Sequence, residues 1–282
     1  MTISIIGLGL IGGSMALALR EADWATQVWG VENHPAHARL AQERGLADKI
    51  VSLEEALQGS EMLVLAVPVD VCLRLLPQIL DDLPASSVVS DVGSTKSALC
   101  RAIVRHPRRS QFVAAHPIAG TENSGPGAAI PHLFTNKMTI LCEKAASSPE
   151  AWQQVRAMYE ALGMTCLEME AEAHDQHLAY VSHLSHLTSF ALALTVLEVE
   201  KSEKNIFQLA GSGFSSTARL AQSAPGMWTP IFTENRHHLL TALDEYEAQL
   251  RVLRQAIAQA DGESLHKALE KANAIRSILN PS

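Results

Sequence analysis

The 282-residue sequence predicts an α/β chain in two parts, a doubly wound parallel-sheet domain over residues 1–170 and an all-α part over 171–282. Three observations predict it. Short β-rich apolar runs alternate with helical patterns up to about residue 170. Those runs are apolar almost throughout, as strands covered on both faces must be. Beyond about residue 172 no strand pattern recurs.

The predicted strands are Ile3–Ile6, Val28–Val31, Met62–Val67, Ser87–Val92, Phe112–Ala115, Thr139–Cys142 and Thr165–Met169. Between them, Ser14–Ala22, Pro35–Arg44 and Val71–Leu80 read as helices. In the second part Ala173–Glu200, Lys204–Phe207, Pro230–Ala260 and Ser264–Leu279 carry helical patterns. Leu239, Leu243, Tyr246, Leu250, Leu253 and Ile257 recur at alternating steps of four and three, a seam suited to packing against another helix, within the subunit or across a dimer. Around residues 168–173 there is no Gly/Pro run, so the two parts are expected to dock closely.

Composition narrows the function classes. With 47% apolar and 18% charged residues the chain is expected to fold as a compact enzyme-like protein. A net charge of −8 without a basic stripe argues against nucleic acid as a partner. No basic n-region or cleavage site opens the chain, and no continuous apolar run reaches the roughly 18 residues of a membrane span. The four cysteines are scattered, with no C-x-x-C pair, as expected for reduced thiols in the cytoplasm. No zinc motif is present, and no metal is expected.

Gly7-x-Gly9-x-x-Gly12 follows the first strand and opens a helix, the context required of a Rossmann-like dinucleotide fingerprint. The first glycine permits the turn, the second lets the backbone approach a pyrophosphate, and the third allows close helix–strand packing. Leu10 and Ile11 fall in the same turn, at the helix N-terminus that would face the phosphates. Glu32 stands 20 residues past Gly12, at the end of the next strand, where a carboxylate accepts from a ribose 2′-hydroxyl and repels a 2′-phosphate. The cofactor expected is therefore NAD.

In such a sheet the ligand crevice lies beyond the carboxyl ends of the strands. Those ends read Val67-Pro68, Asp91-Val92-Gly93-Ser94-Thr95-Lys96 and His116-Pro117-Ile118-Ala119-Gly120-Thr121-Glu122. Oxidation of an alcohol needs a base for the hydroxyl proton, and His116 is the candidate, with Ser94 sharing the hydrogen bond. Asp91 reads as a turn cap, and Lys96 as a group that positions the cofactor or the loop. In the helical part, His183 and His186 lie three residues apart on one helix face and read as lining a polar pocket. Arg219 follows a Gly/Ser-rich segment, where a guanidinium suits a fork on a carboxylate.

GLGLIGGS, AVP at 66–68, DVGSTK at 91–96, HPIAGTENSG at 116–125, HD at 174–175, SHLSH at 182–186 and GSGFSSTAR at 211–219, in that order, resemble the prephenate and arogenate dehydrogenases of tyrosine biosynthesis. The resemblance spans essentially the whole chain. It implies NAD-dependent oxidative decarboxylation of prephenate to 4-hydroxyphenylpyruvate and CO2, or the same reaction on arogenate giving tyrosine. It also implies a homodimer formed through the helical domain. Carried over, His116 and Ser94 act on the ring hydroxyl, Arg219 holds a substrate carboxylate, and Glu122 sits at the pocket mouth. His183 and His186 line the ring side, and Trp228 matches a pocket tryptophan. Three positions depart from the family pattern: Ser185 replaces a proline, while Ser216 and Ala224 each replace an aspartate. Rival readings are a 3-hydroxyacid dehydrogenase or an imine reductase, which would not explain the HPIAGTE stretch, and an NAD-binding sensor without turnover, which would not need Ser94, His116 and Arg219 together. With the sequence ending at Ser282, neither a C-terminal regulatory domain nor a fused mutase is expected.

Overall fold

The computed structural model describes residues 1–203 and 205–279. Met1–Arg236 forms one compact unit, and the segment from His237 onward forms another. In the first lie β1 (Thr2–Ile6), β2 (Gln27–Val31), β3 (Lys49–Ile50), β4 (Met62–Leu65), β5 (Val88–Asp91), β6 (Phe112–Pro117), β7 (Met138–Cys142) and β8 (Thr165–Met169). They make one sheet in the order β3-β2-β1-β4-β5-β6-β7-β8.

Strand alternation splits the core into two layers. Ile3, Ile5, Met62, Val64, Val113 and Ala115 face one side, under Met15 and Leu19 of α1 (Leu10–Glu21) and Trp152, Val155 and Tyr159 of α6 (Pro149–Ala161). Ile6, Leu63, Leu65, Val89 and Ala114 face the other. They are covered there by α3 (Leu53–Gly59), α4 (Val69–Asp82) and α5 (Ser97–Ala102), with α2 (Pro35–Glu43) following β2.

The all-parallel expectation needs correction at one edge. β1 to β6 run parallel, but β7 pairs antiparallel with β6, and β8 follows β7 in parallel. Between β6 and β7 stands only a 3₁₀ turn at Pro126–Ala128, with no crossover helix to carry the chain back, so β7 returns in the opposite direction. β3 is an additional edge strand of two residues, too short for any periodicity.

After β8 the described chain is helical, with α7 (Ala171–Leu178), a π turn at Ala179–His183, α8 (Leu184–Glu200), α9 (Ser212–Ala218), α10 (Pro225–Glu234), α11 (Arg236–Ala258), α12 (Gly262–Ala272) and α13 (Ile275–Leu279). The expected helix Pro230–Ala260 is interrupted at Asn235, the C-cap of α10. Ile206–Leu209 forms a 3₁₀ turn, while Lys204 of the expected helix there, like residues 280–282, lies outside the described residues. The first unit runs past residue 170 to take in α7–α10. A cause is visible at Asp175, whose carboxylate accepts from the backbone N–H groups of Lys96 and Ser97, each at 2.8 Å, and so caps α5 from across the chain.

Ala171–Glu200 corrects another expectation. By length and composition it is a helix apolar enough to cross a membrane, with mean hydropathy 1.2. Its leucines, valines, alanines and phenylalanine raise that average, while interspersed serines, threonines and histidines break any continuous apolar run, which is why the sequence did not show it. His174 ties its first half to β6 through His116, and Asp175 ties it to the start of α5, whereas Leu194 and Leu197 in its second half are exposed.

Candidate active site

The strand order reverses between β1 and β4, the switch point where an open α/β sheet forms its ligand crevice, beyond the carboxyl ends of the strands. Ile6 is level with both Val31 and Leu65 across the sheet, so the glycine turn, Glu32 and Val67 emerge side by side. Gly7 has φ +94°, and a Cβ there would stand 2.5 Å from the Ala66 carbonyl oxygen. At Gly12 a Cβ would meet the Gly7 carbonyl oxygen at 2.0 Å. At Gly9, the N-cap of α1, nothing lies within 4 Å of that position. The turn is tight beneath and open above, which fits a pyrophosphate on the helix N-terminus. Leu10 and Ile11, half-buried, form the first turn of that helix.

Glu32 is oriented by the same turn. Its carboxylate accepts from Leu8 N–H at 3.3 Å and from His34 N–H at 3.0 Å. Across the crevice, Val67 is half-buried and Pro68 is the exposed N-cap of α4.

Lys96 does not present its ammonium to this crevice. It is wholly buried, pairs with the Asp91 carboxylate and donates to the Ala115 carbonyl at 2.9 Å. Burial works against the ammonium, and Asp91 more than offsets it, so the pKa is raised. Asp91 also accepts from Gly93 N–H at 2.8 Å and Ala115 N–H at 3.2 Å, joining the turn after β5 to β6. Of the two readings of Lys96, positioning the loop fits this geometry. Ser94 sits half-buried on that loop.

Ser90 of β5 is level with Val113 of β6, so His116 lies beyond Asp91 at the sheet edge. The ring is nearly buried at 9% exposure. Its Nδ1 lies 2.8 Å from His174 Nε2, and His174 Nδ1 lies 2.8 Å from Asp175 Oδ1. The sequence shows the His-Asp pair but not its partner, because 58 residues separate the two histidines.

The π turn rotates His183 into the interior. Asn235 Nδ2 donates to the Asp175 carbonyl and to His183 Nδ1, which leaves the His183 proton on Nε2. That Nε2 and the indole Nε1 of Trp228 are both buried without a hydrogen-bond partner, and so offer two N–H donors to an acceptor. His186 stacks on Trp228 with ring centroids 3.6 Å apart, its Nδ1 donating to the Ser182 carbonyl. Arg219 is exposed and pairs with Glu122 at 3.2 Å, 97 residues away in sequence. Glu122 thus takes a carboxylate position beside Arg219, on a helix turn where Ser216 supplies none.

His116, His174 and His183 are all held neutral. Burial is the main cause of each lowered pKa; at His116 the neighbouring His174, Lys96 and His183 add to it, and His183 falls to about 4. Unfolding returns each to about 6.5. Their contribution to stability is therefore complete above about pH 6.5 and is lost as pH falls toward the folded values, ~3 kcal/mol for His183 alone at full development. Urea midpoints are expected to drop between about pH 7 and about pH 5. An unchanged midpoint would mean these rings are not buried neutral.

A doubly wound nucleotide-binding sheet with a histidine at its carboxyl edge defines the class, a dinucleotide-dependent dehydrogenase of two-part build. Residues 15–167 match the model of the prephenate dehydrogenase nucleotide-binding domain, and residues 170–271 match that of the prephenate dehydrogenase dimerization domain. The chain belongs to the prephenate dehydrogenase family. It is 30% identical to prephenate dehydrogenase of Lactococcus lactis subsp. cremoris over 98% of its own length and 77% of that protein. The structure of prephenate dehydrogenase from A. aeolicus in complex with hydroxyphenyl propionate and NAD+ superposes with a TM-score of 0.92 at 28% identity, covering 99% of this chain and 98% of that one. Synechocystis arogenate dehydrogenase gives 0.79 at 30% identity, covering 99% and 100%.

Proposed function

We propose that this protein catalyses NAD-dependent oxidative decarboxylation of prephenate to 4-hydroxyphenylpyruvate and CO2. The observation that carries the reading is His116, a neutral imidazole at the crevice edge whose Nδ1 is engaged inward. Gly7, Gly9, Leu10, Ile11, Gly12, Glu32, Val67 and Pro68 frame the dinucleotide, and Glu32 selects NAD over NADP. Bound NAD+ supplies the acceptor for the hydride of the ring carbinol carbon. His116 Nε2 takes the hydroxyl proton as that hydride leaves, with Ser94 sharing the hydrogen bond. The electron pair of the breaking ring–carboxylate bond then enters the ring, and the oxygen recovers its proton from His116 as a phenol. Arg219 holds a substrate carboxylate, Glu122 closes the pocket mouth, and His183, His186 and Trp228 line the ring side.

The domain assignment that goes with this reading is 1–170 for the nucleotide and 171–282 for substrate and dimerisation. A homodimer through the helical part is supported by the apolar residues left exposed there, Leu194 and Leu197 on α8 and Tyr246, Leu250 and Ile257 on α11. We place the enzyme in the cytoplasm, as a soluble biosynthetic protein.

Arogenate is the alternative substrate, favoured by the likeness to the Synechocystis enzyme. Reduced-cofactor formation with prephenate and with arogenate, each against NAD and NADP, tests both readings. Turnover with prephenate and NAD is expected. Turnover with arogenate alone would move the substrate, and none with either would remove the assignment.

A further inference from the structure

His174 and Asp175 stand behind His116, away from the crevice, and both are essentially sealed from solvent. Each hydrogen bond in the chain that links them has only one consistent polarity. The Asp175 carboxylate accepts from Lys96 N–H and Ser97 N–H, and with its pKa lowered it carries no proton to donate. Toward Asp175, His174 Nδ1 must therefore be the donor. In a neutral His174 the remaining nitrogen, Nε2, is then a lone pair. That lone pair requires the proton of His116 on Nδ1 and leaves His116 Nε2 without one. His116 Nε2 has no hydrogen-bond partner among the described residues and is not among the buried unpartnered atoms.

We propose that His174, anchored by Asp175, is a positioning residue that sets the tautomer of His116, so that the unprotonated Nε2 faces the reacting hydroxyl. The inference rests on the reading of His116 as the base. When Nε2 takes a proton, the Nδ1 proton of His116 shifts toward His174 Nε2, and the positive charge spreads toward the Asp175 carboxylate. No bond other than N–H is made or broken, and the proton count of the chain rises by the one that substrate gives. The other charged or titratable groups facing the pair are Lys96 and Asp91 on the β5 turn and His183 on the π turn. The first two are already paired with each other, and His183 Nδ1 already accepts from Asn235. None of the three competes for the His116 Nδ1 proton.

The test combines imidazole 15N NMR of the full-length, histidine-labelled protein with kinetics of two variants. In the wild type at about pH 8 His116 is expected to be protonated at Nδ1 and bare at Nε2. His174→Phe keeps a ring in the space but removes the acceptor. Its His116 proton is expected to move to Nε2, with kcat down about 100-fold or more and NAD affinity within about threefold. His174→Gln supplies an acceptor oxygen and is expected to restore kcat to within about tenfold of the wild type. A wild-type His116 carrying its proton on Nε2 would overturn the proposal. So would a His174→Phe enzyme of near-normal kcat, or a His174→Gln enzyme no better than the Phe variant. If His174→Phe fails to fold, the wild-type spectrum and His174→Gln still decide. The tautomer is read without turnover, so an incorrect assignment of His116 as base would leave the spectrum as stated while His116→Asn kept its activity.

Discussion

Replacing His116 by Asn lowers kcat by about 10²–10⁴-fold while NAD affinity stays within about twofold. The size follows from the role of a positioned base, whose loss leaves only water to accept the hydroxyl proton. The selectivity follows from place. His116 stands at the carboxyl end of β6, two strands beyond β4, whereas the glycine turn and Glu32 that frame the dinucleotide follow β1 and β2. Asn matches the imidazole poorly as a base yet can still bond to His174 through its amide, so the buried network is not left open. Steady-state kinetics with prephenate, together with NAD titration by protein fluorescence, separate the two quantities. A near-normal kcat would remove His116 from the chemistry; a large loss of NAD affinity would mean the variant had disturbed the crevice itself.

Arg219→Leu is the second large effect, and it should fall on substrate binding. Arg219 pairs with Glu122 in an exposed setting, where an ion pair contributes little to stability. The guanidinium is therefore available to a ligand carboxylate at small cost. A charge-assisted hydrogen bond of about 1.5–3 kcal/mol corresponds to a rise in KM of about 10–150-fold. Unfolding free energy should change by less than ~0.5 kcal/mol. Arg219→Lys should recover only part of the loss, because an ammonium cannot form the two-pronged fork. An unchanged KM in Arg219→Leu would place the carboxylate elsewhere, with the buried N–H groups of His183 and Trp228 as the next donors to examine.

What could be read from the sequence, and what could not, follows from the range of each signal. The strands around the crevice show as local apolar runs, and the glycine turn with Glu32 is a motif of fixed spacing. The direction of β7 is not local, because Thr139–Cys142 looks the same running either way; only the missing crossover helix before it carries the information. Lys96 was visible at a strand end, but its inward turn depends on Asp91, five residues earlier, being buried beneath it. His174 and Asp175 were visible as an adjacent pair on one helix, yet their partner His116 lies on β6, 58 residues earlier. Glu122 and Arg219 each stood out alone, and their pairing required a fold that closes 97 residues of chain. The apolar character of Ala171–Glu200 was hidden by its interspersed serines, threonines and histidines, and it emerges once the helix is seen whole.

The most direct test of the central claim follows one hydrogen atom. Prephenate carrying deuterium on the ring carbinol carbon is mixed with the enzyme and NAD+, and the reduced cofactor is examined by mass spectrometry. Deuterium in the NADH, with CO2 and 4-hydroxyphenylpyruvate formed in equal amount, is the result predicted for hydride transfer in the crevice beside His116. NADH without deuterium, or product without NADH, would contradict it.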